Sequence, residues 1–264
     1  MSKIAIISDI HSNPTALHRV LKDAEERKCE RIVCLGDIVG YGYDPNTCID
    51  IVRGRNIECF LGNHDAGLIG KLSLDWFNSF AKNAILRQRS LVTDDNKKWL
   101  ERLPYNKIVG EKDEIVYAFA HGELMSPKDF DYIQGYSDAV YEIQYMQEKK
   151  ICVLFIGHTH WANIFLLGDD HHISETFIDL EDEVGYELSR NNASIVNVGS
   201  CGYPRNQPYI IYGIYETTTN EFCHRILPFD FDDYMSNMKK CDADIPWWIE
   251  SRIEEAKKHP VIYK

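Results

Sequence analysis

Five short polar motifs, each following an apolar run, carry the residues of this chain that could do chemistry. The motifs are SDIH (8–11), GDIVGYG (36–42), GNHD (62–65), AHGE (120–123) and GHTH (157–160). Carboxylates, amide oxygens and imidazoles are side chains that bind divalent metal ions. The predicted ligands are Asp9, His11, Asp37, Asn63, His121, His158 and His160. A mixed set of this kind favours manganese, iron or zinc over calcium, which prefers oxygen ligands alone.

The number of predicted ligands indicates two metal ions rather than one. One divalent ion needs about four to six ligands, so a larger set suits a pair of ions that share a carboxylate. Asp37 is the predicted bridge, because its carboxylate can offer one oxygen to each ion. Two ions about 3.5–4 Å apart form the usual clamp for in-line hydrolysis of a phosphate ester. The sequence therefore predicts a phosphoesterase in which a metal-bridging hydroxide attacks phosphorus directly, without a covalent enzyme intermediate.

Two residues beside the predicted ligands are candidates for catalysis at the leaving group. His64 adjoins Asn63, so its ring should point away from the ion that Asn63 binds. A histidine in that place could stabilise or protonate the leaving oxygen. Asp65 is predicted to orient the ring of His64 and to hold it protonated.

The predicted contacts to the phosphate of the substrate are Asn13, Asn63 and Arg205. An ordinary surface arginine is the alternative for Arg205. Asn13 is first of all the expected N-cap of a helix, a role that is compatible with facing the site. Three aromatic residues adjoin the metal motifs, and we expect them to line the core, with stacking on a nucleobase as the alternative. They are Tyr41, Tyr43 and Trp161.

Apolar runs and helical spacing place these motifs in a layered α/β fold. Strands are predicted at 3–9, 31–37, 57–65 (a strand with its loop), 114–123 and 151–160. Strands that alternate with helices indicate a parallel sheet, whose ligands bind beyond the carboxyl ends of the strands. A helical insert at about 68–103 should border the site, and the strands after residue 160 should be short and antiparallel. A helical tail at about 229–264, anchored by Trp247 and Trp248, completes a predicted single domain over residues 1–264.

The formal net charge of −12 disfavours partners that are themselves negatively charged. Nucleic acid and membranes are therefore not expected as general partners, and a small phosphate-containing substrate would need a bound cation to offset the repulsion. The N-terminus lacks the pattern of a signal peptide, no run of about 18 apolar residues is present, and the eight cysteines are scattered singly. We expect a cytoplasmic protein with reduced cysteines, and the oligomeric state is left open.

The order of the motifs, DxH, GDxxG, GNHD, H and GHTH, resembles the calcineurin-like metallophosphoesterase superfamily. The loop NVGSCGYPRN (197–206) extends the resemblance. GDIVGYG together with DIHSN resembles the bacterial branch that contains phosphodiesterases and dinucleoside polyphosphate hydrolases. The resemblance implies an α/β (α+β) four-layer sandwich, in which two mixed β-sheets are flanked by helices and a small helical insert follows the third strand.

The resemblance also implies how the ligands divide between two ions. One site would comprise Asp9, His11, Asp37 and His160, and the other Asp37, Asn63, His121 and His158. His64 would act on the leaving group, with Asp65 behind it. The two divalent ions would be manganese, iron or both, with zinc, nickel, cobalt or magnesium as alternatives.

Two other functions stay open as alternatives. Protein serine/threonine phosphatases of this superfamily carry GDxxDRG, whose arginine grips phosphate, whereas Gly40 and Tyr41 stand at those positions here. Arg205 would have to supply the charge, and the late loop has Val198 where the family usually has proline. Some members are scaffolds that have lost their metal ligands, but every ligand position is intact in this chain. We therefore expect hydrolysis of a phosphodiester or a nucleotide polyphosphate.

Overall fold

The chain folds into two β-sheets that pack face to face and carry helices on their outer sides. The computed structural model describes residues 3–110, 115–177, 184–205 and 208–258. In these ranges each sheet is mixed and has six strands, and eight α-helices flank the pair. The predicted four-layer sandwich is therefore confirmed.

The strands of both sheets are short, and the longest have eight residues. They are β1 (Lys3–Ile7), β2 (Arg31–Cys34), β3 (Glu58–Cys59), β4 (Asn106–Val109), β5 (Tyr117–Ala120), β6 (Val153–Ile156), β7 (Asn163–Leu167), β8 (Ile173–Phe177), β9 (Gly185–Glu187), β10 (Ser194–Asn197), β11 (Tyr209–Glu216) and β12 (Glu221–Pro228). The first sheet has the order β3-β2-β1-β11-β12-β9 and the second β4-β5-β6-β10-β7-β8. Strands β1, β2 and β3 run parallel, as do β5, β6 and β10. The polar motifs follow the carboxyl ends of these parallel strands.

The helices connect strands on the outside and form the insert and the tail. They are α1 (Pro14–Glu26), α2 (Pro45–Gly54), α3 (Asn63–Leu68), α4 (Ser79–Leu91), α5 (Asp94–Leu100), α6 (Tyr136–Lys149), α7 (Phe231–Lys240) and α8 (Ile249–Lys258), with a short 3₁₀ turn at Leu74–Trp76. None of the helices within the described ranges is long and apolar enough to cross a membrane. All eight cysteines lie in those ranges and are free thiols, as the sequence predicts.

The alternation of side chains along β1 shows how the layers form. Ile4 and Ile6 face the second sheet and join a buried cluster that includes Phe155. Ala5 and Ile7 face the opposite way and belong to the cluster formed with α1. Because successive side chains of a strand point to opposite faces, one continuous apolar run serves both interfaces. Helix α6 covers the outer face of the second sheet in the same manner.

The GNHD motif lies in a helix, whereas the sequence analysis placed it in a loop. Asn63 is the first residue of α3, and Gly62 is its N-cap. The carboxylate of Asp65 accepts the N–H of Gly62 at 3.2 Å, which closes the first turn. The helical insert therefore begins at residue 63 rather than at about 68. An acidic residue at the third helical position stabilises a helix start in this way.

Two further predictions about the second half of the chain hold only in part. Strand β10 was expected to be antiparallel, and it does pair antiparallel with β7, but on its other side it runs parallel to β6. Trp248 is an anchor with 6% of its surface exposed, whereas Trp247 is 90% exposed and anchors nothing in the described chain. The predicted tail beyond residue 258 and the first residue of the predicted strand 114–123 lie outside the described residues.

Candidate metal centre

The five motifs converge on one buried place between the ends of the two sheets. Three groups of side chains each offer ligand atoms that lie within 4.8 Å of one another. The groups are Asp9 with His11 and His160, His11 with Asp37 and His64, and Asp37 with His121 and His158. Asp37 belongs to two of them, in keeping with its predicted bridging role. The seventh predicted ligand, Asn63, places its Oδ1 3.1 Å from Nε2 of His121.

The first group presents three electron-pair donors to one point. Nδ1 of His11 donates to the carbonyl of Val39 at 2.9 Å, and Nδ1 of His160 donates to the carbonyl of Tyr203 at 2.7 Å. Since a carbonyl only accepts, both Nδ1 atoms carry hydrogen, which leaves the two Nε2 atoms as the nitrogens that can offer a lone pair to a metal ion. These Nε2 atoms are 3.1 Å apart, and Oδ1 of Asp9 lies 3.5 and 3.2 Å from them.

This convergence fits a cation. Oδ1 of Asp9 is buried and has no hydrogen-bond partner among the described residues. Two lone pairs and an unpartnered carboxylate oxygen at such distances repel one another unless positive charge lies between them. The donor set of two imidazoles and a carboxylate suits a transition-metal ion.

The second group is arranged around Asp37. Nε2 of His121 lies 3.4 Å from Oδ2 of Asp37. Nε2 of His158 donates to the carbonyl of Phe130 at 2.8 Å, which leaves its Nδ1 as the ligand atom. The other oxygen of Asp37 accepts the backbone N–H of His64 at 2.8 Å. The carboxylate of Asp37 is therefore fixed at one oxygen and open at the other.

Burial and neighbouring charge set the protonation states of the centre. Burial lowers the pKa of His158 to about 3 and that of His160 to about 4, so both rings are neutral at pH 7. Burial alone would lower the pKa of His121 as well, but the charge of Asp37 raises it to about 9. Burial would raise the pKa of Asp37, but His121 and His64 hold it well below its ordinary value. The carboxylate is charged, as metal binding requires.

The backbone at the centre is strained. Five of the seven predicted ligands have a left-handed conformation, with φ of 56° at Asp9, 46° at His11, 54° at Asp37, 66° at His158 and 63° at His160. Each such residue costs on the order of 1–3 kcal/mol, and strain of this kind concentrates at functional sites. Contacts between loops maintain it, as where the N–H of His11 donates to the carbonyl of Asp37 at 2.9 Å.

Two glycines of the motifs allow the loops to approach closely. A Cβ at Gly62 would lie 2.2 Å from Oδ1 of Asp37, and a Cβ at Gly40 would lie 2.2 Å from Nδ1 of His64. Gly40 also has φ of +92°, which other residues rarely adopt. Any other residue at either position would displace Asp37 or His64.

The centre opens into a cleft with a volume of about 520 Å³. We call the residues on its inner side the floor: Tyr41, Asn63, His64, His158 and Arg205. The outer wall consists of two segments, one from the insert (Leu72, Trp76, Phe77, Asn78 and Ala81) and one from the chain after β5 (residues 128–132). The prediction that the insert borders the site is thus confirmed. Phosphate placed against the floor would lie among the metal ligands.

Comparison with known proteins agrees with this geometry. The sequence profile of the calcineurin-like phosphoesterase superfamily domain matches residues 2–220. The chain belongs to this superfamily. It is 33% identical over 260 residues to an uncharacterised protein of Methanocaldococcus jannaschii, a match that covers 96% of this chain and 97% of the other. The family is metal-dependent, and the clustered histidines and aspartates are groups that could hold its metal.

Two solved structures have the same fold. A metallophosphoesterase from Sphaerobacter thermophilus superposes with a TM-score of 0.78 at 29% identity, over 96% of this chain and 98% of the other. A hypothetical protein from Pyrococcus horikoshii superposes with a TM-score of 0.70 at 17% identity, over 95% of this chain and 97% of the other. The second match, at its low identity, supports the fold alone.

His64 and Asp65 do not make the pair that the sequence predicts. The carboxylate of Asp65 accepts the backbone N–H groups of Ile38, Val39 and Gly62 at 3.3, 3.1 and 3.2 Å. Nδ1 of His64 is buried without a hydrogen-bond partner in the described chain. Burial lowers the pKa of His64 well below its ordinary value, so the ring is neutral rather than held protonated. Asp65 instead ties the GDIVGYG loop of this phosphoesterase to the start of α3.

Arg205 and Asn13 have different surroundings. Nη2 of Arg205 donates to the hydroxyl of Tyr41 at 3.0 Å on the floor of the cleft. Asn13 is occupied as a cap, since its Oδ1 accepts the N–H of Ala16 at 3.1 Å and its Nδ2 donates to the carbonyl of Gly202 at 3.1 Å. Asn13 does not line the cleft. The predicted phosphate contact of Asn13 therefore has no structural support.

Several supporting residues of the centre escaped the sequence analysis. Gln88 of α4 is fully buried, where its Oε1 accepts the N–H of Gly40 at 2.7 Å and its Nε2 donates to the carbonyl of Gly42 at 3.0 Å. The sequence did contain a sign of this role, because Gln88 is a polar residue within the apolar stripe of α4. Tyr132 stacks on His158 with the ring centres 3.8 Å apart. The carbonyls that orient the imidazoles gave no signal, because any residue type supplies one.

Proposed function

We propose that this protein is a dinuclear-metal phosphoesterase that hydrolyses a phosphodiester or a nucleotide polyphosphate. The observation that carries the proposal is the pair of buried ligand groups that meet at Asp37, at the floor of an open cleft. Membership of the phosphoesterase superfamily supports the reaction class. Manganese, iron or both are the ions that we propose for the native centre.

The residues divide into two sets around Asp37. Asp9, His11, Asp37 and His160 would hold one ion, and Asp37, Asn63, His121 and His158 would hold the other. When bound, the ions would supply positive charge beside phosphorus and a water of lowered pKa. The carbonyls of Val39, Tyr203 and Phe130 fix the imidazole orientations before any ion arrives. This preorganisation places the ligands without further rearrangement.

The other polar groups of the floor would act on the substrate. Arg205 is held by Tyr41, and a guanidinium has five N–H donors, so donors are left for a phosphoryl oxygen. Nδ1 of His64 is packed against Gly40, and we assign Nε2–H of the neutral ring as the donor to the leaving oxygen. A donor aimed at developing negative charge stabilises the transition state without itself being charged. Asp65 would act indirectly, by holding the GDIVGYG loop in position through hydrogen bonds to its backbone.

The test is hydrolysis with added Mn²⁺ of p-nitrophenyl phosphate, bis(p-nitrophenyl) phosphate, diadenosine tetraphosphate and a phosphopeptide. Metal content is measured on the same preparation. We expect about two ions per chain and turnover of the diester, the dinucleotide or both. Turnover of the phosphopeptide alone would overturn the proposed substrate class in favour of a protein phosphatase. Absence of both metal and turnover would overturn the proposed enzyme.

A further inference from the structure

The outer wall of the cleft carries an indole ring that the fold does not use. Trp76 is 83% exposed although it lines the cleft, and its ring makes no ring–ring contact within the described ranges. A single exposed aromatic side chain is common on a protein surface, but one that lines a cleft is placed to contact a ligand bound there. Trp76 lines the same cleft as the metal ligands Asn63 and His158, so it could hold part of a substrate whose phosphate binds at the centre.

The turn that presents Trp76 is fixed on both sides. Asp75 accepts from Nζ of Lys82 at 3.0 Å, and its N–H donates to Oγ of Ser73 at 3.3 Å. Phe77 packs edge-on against His64, with ring centres 5.2 Å apart. The exposed ring therefore belongs to an anchored turn and not to a free loop, so stacking on it costs little conformational entropy.

The opposite segment of the outer wall supplies polar groups. Lys128, Asp129 and Asp131 line the cleft and are exposed. Carboxylates accept hydrogen bonds and an ammonium donates them, which matches the in-plane donors and acceptors of a nucleobase edge. Ring stacking combined with hydrogen bonds at the edge is how enzymes hold a single base in a pocket. A cleft of about 520 Å³ also exceeds what a phosphate group alone would fill.

We propose that Trp76 is the stacking platform for a nucleobase of the substrate, with the phosphate directed to Arg205 and the metal ligands. This assignment rests on the proposed phosphoesterase function and narrows its substrate to a nucleotide. Trp76 is then a specificity residue, which binds the part of the substrate that does not react. Substrates without a base lose the stacking on Trp76 and the hydrogen bonds at the edge of the base, but they keep the contacts of the phosphate.

The experiment compares the binding of AMP and ribose 5-phosphate to the Mn²⁺-loaded protein by calorimetry and tryptophan fluorescence. Stacking of one base on an aromatic ring corresponds to a preference for AMP of about 5- to 100-fold. We expect Trp76→Ala to remove the preference and Trp76→Phe to restore most of it. The matched control is Trp247→Ala, because Trp247 is equally exposed at 90% but does not line the cleft. It should bind AMP as the unaltered protein does.

Two outcomes separate this inference from the proposed function. Equal binding of AMP and ribose 5-phosphate, or an unchanged preference in Trp76→Ala, overturns the assignment even if bis(p-nitrophenyl) phosphate is hydrolysed. A preference for AMP that depends on Trp76 supports the assignment even if none of the four substrates is turned over, in which case the hydrolytic function alone has failed. In the active enzyme, Trp76→Ala should raise KM for diadenosine tetraphosphate far more than it lowers kcat.

Discussion

The floor and the outer wall of the cleft are built in opposite ways. Floor residues Asn63, His64 and His158 are at most 8% exposed, and loops from both sheets hold them. On the outer wall, Trp76 is 83% exposed and belongs to a local turn within the insert. Because the floor depends on contacts between distant segments, a change there disturbs several ligands together. A change at Trp76 stays local.

This difference indicates where chemistry and selectivity reside. Strained backbone at Asp9, His11 and Asp37 is tolerated only because surrounding loops over-determine it. The exposed Trp76 carries no such constraint and can vary without altering the centre, whereas Tyr132 of the same wall stacks on His158. Substitutions on the floor should therefore change kcat and metal content, whereas substitutions on the wall should change KM. The predictions below test that division.

The largest effect is expected for Asp37→Asn. Asp37 belongs to two of the three ligand groups, and an amide lacks the charge that offsets two cations. We expect both ions to be lost and activity to fall to that of the metal-free protein, as measured by metal analysis and turnover. The control is Asp232→Asn, which changes an exposed aspartate in the first turn of α7. Retention of both ions in Asp37→Asn would show that the two groups are independent.

His64→Ala should lower kcat by about 10²–10⁴-fold while both ions stay bound. The N–H that donates to Asp37 is a backbone group, so the variant keeps that hydrogen bond. Turnover and metal content are measured together, with the exposed His18→Ala as the control. Loss of metal together with activity would identify His64 as a ligand, in line with its place in the group of His11 and Asp37.

Arg205→Ala should have a smaller effect, because in the proposed function this side chain contacts the phosphate of the substrate and is not a metal ligand. Loss of a hydrogen bond to a charged group corresponds to a rise in KM of about 10- to 100-fold. Arg205→Lys should recover part of the loss, since lysine keeps the charge but not the fork of donors. Steady-state kinetics check this, with Arg102→Ala, outside the cleft, as control. An unchanged KM in Arg205→Ala would assign Arg205 to the packing of Tyr41.

Among these variants, Trp76→Ala on the wall should have the smallest effect on kcat. Its effect should be confined to substrates that carry a base, whereas floor variants should affect all substrates alike. If wall and floor variants lose similar amounts of kcat on bis(p-nitrophenyl) phosphate, the assignment of chemistry to the floor and selectivity to the wall is wrong. Steady-state kinetics on the two substrates distinguish these cases.

The sequence predicted the layers of the fold because they depend on local patterns. Unbroken apolar runs identified β1, β2 and β6, and the residues after them identified the site. The parallel pairing of β10 with β6 was not predictable, since it joins segments some forty residues apart and nothing local encodes the direction. The short β9 was missed for a related reason, as three residues are too few for a periodic pattern.

For the site, residue types were predictable and atomic roles were not. The motifs contain the side chains of the three ligand groups, so their chemistry could be inferred. Which nitrogen of His158 is available depends on the carbonyl of Phe130, 28 residues earlier in the chain. The partner of Asp65 was misassigned to its sequence neighbour His64, because adjacent residues of a helix point in different directions.

The sequence by itself determined the reaction class, through histidines, aspartates and an asparagine at the ends of apolar strands. Tertiary structure decided that these residues form groups of which two share Asp37, that their backbone is strained, and that an exposed tryptophan lines the same cleft. The physical reason is the distance along the chain between the residues that interact. Strand patterns and side-chain chemistry are local properties of the chain, whereas ligand geometry and the shape of a cleft depend on contacts between distant loops, such as those of His11 and His160, which lie 149 residues apart.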